Sequence, residues 1–149
     1  MVVAALLSAI HMLTLALGLG AIFARGRALA MPLDDAGWKR LLAADNAWGV
    51  AALLWIASGF ARVFFGGKQP DFYWRNGFFW LKLGLFGLVF VLEQAPMSTF
   101  IRVRMARRRG APLPQFPIQV YRHINRIELA LIVTIVVVAA FMARGAWLF

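Results

Sequence analysis

The sequence predicts an all-α integral membrane fold, a bundle of four transmembrane helices. Hydrophobic residues make up 62% of the 149-residue chain and charged residues only 15%, whereas soluble domains are about 45–50% apolar. Four apolar segments are long enough to cross a bilayer, which takes about 20 residues of helix because every backbone polar group must be bonded internally. The length fits one domain, so we expect residues 1–149 to form a single transmembrane domain.

Charges and turn residues set the limits of the four predicted spans. The spans cover residues 2–24, 47–65, 78–101 and 127–143. Segments rich in glycine and proline, 66–71 and 110–114, separate the second span from the third and the third from the fourth. Pro96 is expected to kink or end the third helix near residues 92–95, because proline removes a helical hydrogen bond.

The segment 34–42, between the first two spans, has the pattern of a short helix lying at the membrane surface. Asp34 or Asp35 is suited to cap its first turn. The apolar side chains of Trp38, Leu41 and Leu42 are expected to face the membrane.

Basic residues are unevenly distributed between the two sides of the predicted bundle. The loops 25–46 and 102–126 carry 4 and 7 Lys and Arg residues of the 16 in the chain, and the opposite side carries 4. The positive-inside rule therefore predicts a multi-pass protein with both termini on the outer side, which in a bacterial inner membrane is the periplasmic side. We expect the excess charge of +10 to contact membrane lipids rather than nucleic acid, because no aromatic stacking residues are interleaved with these arginines.

The amino-acid composition excludes several kinds of chemistry. The chain has no cysteine and only two histidines. Disulfides, thiolate catalysis, iron–sulfur clusters and cysteine-ligated zinc are therefore excluded, and so is a histidine-rich metal site.

Two ionisable residues lie well inside predicted spans. His11 is about 13 Å from the start of the first span, at about 1.5 Å per residue, and Lys82 enters the third span from the same side. An ionisable group inside a membrane is costly, so it faces the bundle interior and needs a partner or a function. No carboxylate is expected at this depth to neutralise Lys82. Trp55 and Arg62 share one face of the second span. They are expected at the same depth in the membrane as His11 and Lys82.

One imidazole and one amine without cysteine suit a haem held by axial nitrogen ligands. A non-haem metal needs three or four ligands, which the sequence does not supply at this depth. His11 and Lys82 are the candidate iron ligands, with Lys82 alternatively a base beside the iron. Arg62 is a candidate partner of a porphyrin propionate, and Trp55 a neighbour. The alternative is structural: a histidine bonded to a backbone carbonyl, with the lysine and the arginine extending to the headgroups.

A second group of charges gathers near the other ends of the helices. Asp45, Glu93 and Glu128 are expected to meet there with basic side chains, which are Arg25, Arg27, Arg102 and Arg126. Such a layer joins the helix ends through ion pairs. A proton path through these carboxylates is the alternative.

Five short stretches of the sequence resemble known membrane proteins. These stretches are residues 8–11, 23–29, 41–62, 80–83 and 124–128. They are similar to an uncharacterised bacterial family of small predicted membrane proteins. More distantly, the layout resembles the four-helix HemJ-type proteins, which are oxygen-independent protoporphyrinogen oxidases that bind haem b. The HemJ-type pattern has a histidine about ten residues into the first helix and a lysine near the start of the third.

The resemblance implies that His11 and Lys82 serve a haem b. It also implies an oxidoreductase that converts protoporphyrinogen to protoporphyrin and passes electrons to a membrane carrier. The sequence departs from the pattern at residues 17–20, which read Leu-Gly-Leu-Gly, and at Phe79, three residues before Lys82.

Two other functions remain open at the level of the sequence. The chain can be a non-catalytic subunit or scaffold of a larger membrane complex, with His11 and Lys82 only packed. It can also be a small transporter, although Thr134 is the only polar residue in the core of the fourth span. Glycines in the spans allow close helix contacts and a homo-oligomer.

Overall fold

A computed structural model describes residues 2–146 and confirms the all-helical fold. Met1 and residues 147–149, the ends of the predicted domain, lie outside this range. The helices are α1 (Val2–Leu29), α2 (Asp35–Phe65), α3 (Pro70–Trp74), α4 (Gly77–Arg109) and α5 (Ile118–Ala143). The described range contains no strand. Four of the helices, α1, α2, α4 and α5, are long and apolar enough to cross a membrane.

The long helices extend past the predicted spans on one side of the bundle. The predicted first span stops at Ala24, but α1 continues through Arg25 to Leu29. The prediction ended the span at the first charge. The side chain of Arg25 is instead only 1% exposed, because carboxylates of other helices surround it.

The surface helix predicted for residues 34–42 is wrong. This segment forms the first turns of α2, which begins at Asp35. Trp38 and Leu41 are 6% and 0% exposed and pack against Phe100 and other buried side chains rather than facing the membrane. The predicted cap is confirmed, because a carboxylate oxygen of Asp34 accepts from the N–H of Gly37 at 2.6 Å.

Two further boundaries differ from the predictions. The helix does not end before Pro96, because α4 runs through this proline to Arg109. The connection between the second and third spans, predicted as a turn, contains the short helix α3. The third span was predicted to end at residue 101, whereas α4 continues to Arg109. The predicted break at 110–114 is confirmed, because α4 is capped at Gly110, whose φ of +62° is a conformation that glycine adopts without strain.

The long helices run antiparallel in chain order, so the bundle has two ends. The terminal end carries the start of α1, the end of α5 and the connection 66–76, where the side-chain N–H of Asn76 donates to the carbonyl of Ala146 at 3.0 Å. The basic end carries the connections 30–34 and 110–117, where Nε of Arg122 donates to the carbonyl of Leu29 at 2.7 Å. Within the described residues, the predicted connectivity of the four spans is therefore correct.

Packing between helices is uneven. α1 packs along α2, α4 packs along α5, and α1 also contacts α5. Between residues 2 and 146, α2 and α4 have hardly any close backbone contact. Side chains rather than backbones therefore bridge α2 and α4, as the edge-to-face rings of Trp55 and Phe86 do at 5.5 Å.

A central apolar core separates the polar groups at the two ends of the bundle. Its buried members come from all four long helices and include Leu15, Ile22, Trp48, Val89, Ile132 and Ile135. Gly18 allows α1 to approach α2 here, because an added Cβ would lie 3.3 Å from the Trp48 ring. The core divides the bundle into two polar regions, one towards each end.

Candidate functional site

Towards the terminal end, a cavity lies between α2 and α4, and we call it the cleft cavity. Its volume is about 370 Å³, within the range of about 300–1,000 Å³ that is typical of ligand sites. His11 and Lys82 both line it, although they belong to different helices. The remaining lining is mostly apolar, with the aromatic side chains Trp55, Phe60, Phe79, Phe86 and Phe90. The predicted convergence of the imidazole and the amine on one cavity is confirmed.

Hydrogen bonds from α2 hold the imidazole of His11 at both nitrogens. Nε1 of Trp55 donates to Nε2 of His11 at 3.0 Å, and Nδ1 of His11 is 2.9 Å from the hydroxyl oxygen of Ser58. An indole N–H only donates, so Nε2 is the acceptor and the ring hydrogen lies on Nδ1. Nδ1 therefore donates to the Ser58 oxygen, while the Ser58 hydroxyl donates to the carbonyl of Trp55 at 3.1 Å.

The sequence of α2 explains why the imidazole fits against this helix. A Cβ added to Gly59 would lie 3.4 Å from Cε1 of His11, so a glycine here lets the ring lie against the backbone. Trp55, Ser58 and Gly59 fall on one side of α2, since positions three and four apart are neighbours on a helix. The predicted backbone partner of His11 is replaced by two side-chain partners.

Lys82 and Arg62 are cations that have no carboxylate partner among residues 2–146. In the described part of the chain, neither residue takes part in an ion pair. Lys82 is half-buried, and its Nζ lies 5.1 Å from the centre of the Phe79 ring. Arg62 is also half-buried, does not line the cleft cavity, and has a buried Nε without a hydrogen-bond partner. It is nonetheless close enough to interact electrostatically with His11 and Lys82.

Sequence reasoning located the four predicted site residues in one region but missed several contacts. The structure brings His11, Trp55 and Lys82 together around the cavity and leaves Arg62 beside it. Ser58 was missed, although a hydroxyl three residues from Trp55 in an apolar helix was a signal for it. The direct bond between Trp55 and His11 was missed because periodicity gives a face of a helix but not its partner.

The basic-end cluster is a second polar site, on the far side of the core. Nη1 of Arg25 donates to Glu93 at 2.7 Å and to Asp45 at 3.2 Å, and Nη2 donates to Glu128 at 2.5 Å. Nε of Arg25 donates to the side-chain oxygen of Asn125 at 2.8 Å. The predicted ion-pair layer is confirmed for these acids and Arg25.

The second cation of the basic-end cluster is Arg104, whose Nη2 donates to Asp45 at 2.6 Å. Arg27, Arg102 and Arg126 were predicted here, but in the part of the chain that the structure describes they form no ion pair with these acids. Arg104 and Arg102 lie on different sides of α4. Arg104 faces α2 and bonds to Asp45, whereas Arg102 donates to Thr99 on its own helix at 3.2 Å.

The fold and its two polar sites define a multi-pass α-helical membrane protein with ionisable groups inside its spans. The chain belongs to the family described as "Predicted membrane protein (DUF2214)", whose model matches residues 3–146. No curated protein and no solved structure matches the chain. The likeness to HemJ-type oxidases therefore rests on the residue pattern alone.

Proposed function

We propose that this membrane protein binds haem b in the cleft cavity, in the bacterial inner membrane with both termini on the outer side. One observation carries the proposal: His11 and Lys82 converge on an apolar, aromatic-walled cavity, and no carboxylate within residues 2–146 pairs with Lys82 or Arg62. Uncompensated cations inside a membrane are costly and call for an anionic partner.

The residues fit the parts of a haem. The aromatic and aliphatic walls suit an apolar macrocycle, and the two propionates suit the guanidinium of Arg62 and the amine of Lys82, since charge-assisted hydrogen bonds are the strong ones. Haem iron takes nitrogen ligands, and His11 is the first candidate at this cavity. Lys82 serves either the iron, as a neutral amine, or a propionate, as an ammonium, but not both.

The hydrogen bonds of His11 set a condition on this fit. Its Nε2 lone pair accepts the N–H of Trp55 and cannot bind iron at the same time. Nδ1 is bonded to Ser58, which is the usual arrangement behind a ligating histidine, because a partner on the second nitrogen orients the ring. Ligation by His11 therefore requires Trp55 to release Nε2, whereas Lys82 needs no bond broken.

A bound haem supplies electron-transfer chemistry. Following the HemJ-type resemblance, the finer proposal is an oxidation of protoporphyrinogen to protoporphyrin, with electrons passed to a membrane carrier. The chain's own contribution is to bind the macrocycle in an apolar cleft, hold its carboxylates with Arg62 and Lys82, and orient His11 through Ser58.

Haem titration of the purified protein tests the proposal. We expect a Soret band that shifts on binding with one haem per chain, and a loss of affinity of tenfold or more in His11→Ala and Lys82→Met. The chain offers matched controls: His123→Ala and Lys68→Met remove the other histidine and an exposed lysine outside the cavity, and both should bind haem like the wild type. Absence of a shifted band in the wild type refutes the proposal.

The second candidate is a non-catalytic subunit of a larger membrane complex. The chain enters that complex either as a single copy or as a homo-oligomer. The observation that favours it is that both nitrogens of His11 are already bonded within the chain, as in a packed histidine. Lys82 and Arg62 then extend towards lipid headgroups. This candidate predicts that the protein co-purifies with partner chains and that Lys82→Met changes neither assembly nor stability.

A further inference from the structure

The basic-end cluster contains more acids than bases. Three carboxylates, Asp45, Glu93 and Glu128, meet two guanidiniums, Arg25 and Arg104, and within residues 2–146 these acids form ion pairs with no other cation. With every group ionised, the cluster has one negative charge in excess. Arg25 is 1% exposed and Glu128 is 0% exposed, so water does not neutralise this excess charge.

The hydrogen bonds show which of the three carboxylates lacks hydrogen-bond donors. Both oxygens of Glu93 accept from Arg25, and Oε2 also accepts from Nε1 of Trp48 at 3.2 Å. Both oxygens of Asp45 accept from guanidiniums. Among residues 2–146, Glu128 accepts through Oε2 alone, and its Oε1 is buried without a partner. A buried carboxylate oxygen without a donor is strongly unfavourable.

The neighbour of Glu128 is a second carboxyl group. Glu93 and Glu128 accept from Nη1 and Nη2 of the same guanidinium, which brings the two carboxyl groups close together. Two ionised carboxylates side by side repel, and the repulsion is removed when one of them holds a proton. A proton on the pair also removes the excess charge and provides the missing hydrogen at Glu128.

We propose that Glu93 and Glu128 form a proton-binding site that holds one proton between them. The proton comes from water at the basic end and returns there, and only an O–H bond is made or broken. Arg25 from α1 faces both carboxyls, Asp45 from α2 meets them through Arg25, and the 24% exposed Arg104 connects Asp45 to the surface. The site is independent of haem binding, because the apolar core separates it from the cleft cavity.

Infrared spectroscopy of the purified protein in an ester-free detergent tests the site. A protonated carboxyl has a carbonyl stretch that ionised carboxylates lack and that shifts in heavy water. The other three acidic residues, Asp34, Asp35 and Asp71, are exposed and lie outside the basic-end cluster. We therefore expect one such band at neutral pH in the wild type, lost on titration to high pH.

Two isosteric variants and one control assign the band. Glu128→Gln and Glu93→Gln should each abolish it, since either change removes the excess charge and the new amide can donate to the remaining carboxylate. Asp35→Asn, at a residue whose side chain is 90% exposed, should leave it unchanged. Survival of the band in either glutamine variant overturns the proposal. Its absence from the wild type at neutral pH also overturns it, whether or not the variants fold.

Discussion

Replacing Arg25 by methionine tests how far the basic-end cluster stabilises the bundle. Methionine keeps an unbranched apolar side chain without a charge, so Arg25→Met removes the donors to Asp45, Glu93 and Glu128. It also removes the hydrogen bond to Asn125. The perturbation therefore leaves two buried carboxylates and the half-buried Glu93, and among residues 2–146 their remaining side-chain donors are Arg104 and Trp48.

The magnitude follows from burial. Removing one partner of a buried ion pair costs about 3–5 kcal/mol, because the other charge stays buried and unpaired. Arg25 serves three carboxylates at once, so we expect a loss at the upper part of that range. Folded domains are stable by only about 5–15 kcal/mol, so this single change removes a large share of the total. Adding Glu128→Gln should restore part of it, because one stranded charge is removed.

Reversible unfolding in mixed micelles, followed by circular dichroism, measures the difference in free energy of unfolding. The matched control is Arg107→Met, which breaks the ion pair of Arg107 with Asp35 at 3.1 Å, where the two side chains are 26% and 90% exposed. Exposed pairs contribute about 0.2–1 kcal/mol. If Arg25→Met costs no more than Arg107→Met, the cluster does not stabilise the bundle and the reasoning from burial is wrong.

Three further predictions concern the cavity, the core and the topology. Trp55→Phe frees Nε2 of His11 while keeping an aromatic wall, so haem titration should show tighter binding; weaker binding would contradict the proposed role of that hydrogen bond. Gly18→Leu places a side chain where an added Cβ is already 3.3 Å from a tryptophan ring of α2, so unfolding measurements should show a loss of about 1–3 kcal/mol from overpacking. In this cysteine-free chain, Lys68→Cys should react with a membrane-impermeant maleimide in cells whose inner membrane is intact, and Met31→Cys only after that membrane is permeabilised; the reverse pattern would invert the proposed orientation.

The number and order of the spans could be predicted from the sequence because they depend on hydropathy, which is local. It did not predict the helix ends at the basic end. A prediction from composition alone ends a span at the first charged residue. Arg25 and Asp45 are nevertheless inside the bundle, because they neutralise each other there. The wrong surface helix at residues 34–42 has the same origin: Trp38 and Leu41 form an apolar face, and only the tertiary structure shows that the face meets α4 and α5.

The residues of the candidate site could be predicted from the sequence, but the contacts between them could not. Depth along a helix follows from residue count, so His11 and Lys82 could be placed level with each other. The rotation of one helix about its axis relative to another does not follow from residue count. For that reason three features are known only from the structure. They are the hydrogen bond of Trp55 to His11, the hydrogen bond of Ser58 to His11, and the position of Arg62 beside the cavity rather than in it.

The haem content of the protein as isolated tests the central claim most directly. The chain, purified in mild detergent from cells with an ample haem supply, is assayed by its optical spectrum and by pyridine haemochrome, alongside His11→Ala and His123→Ala. We predict close to one haem b per chain in the wild type and in His123→Ala, with most of it lost in His11→Ala. A colourless wild-type protein, or equal haem content in all three, would contradict the assignment of the cleft cavity as a haem site.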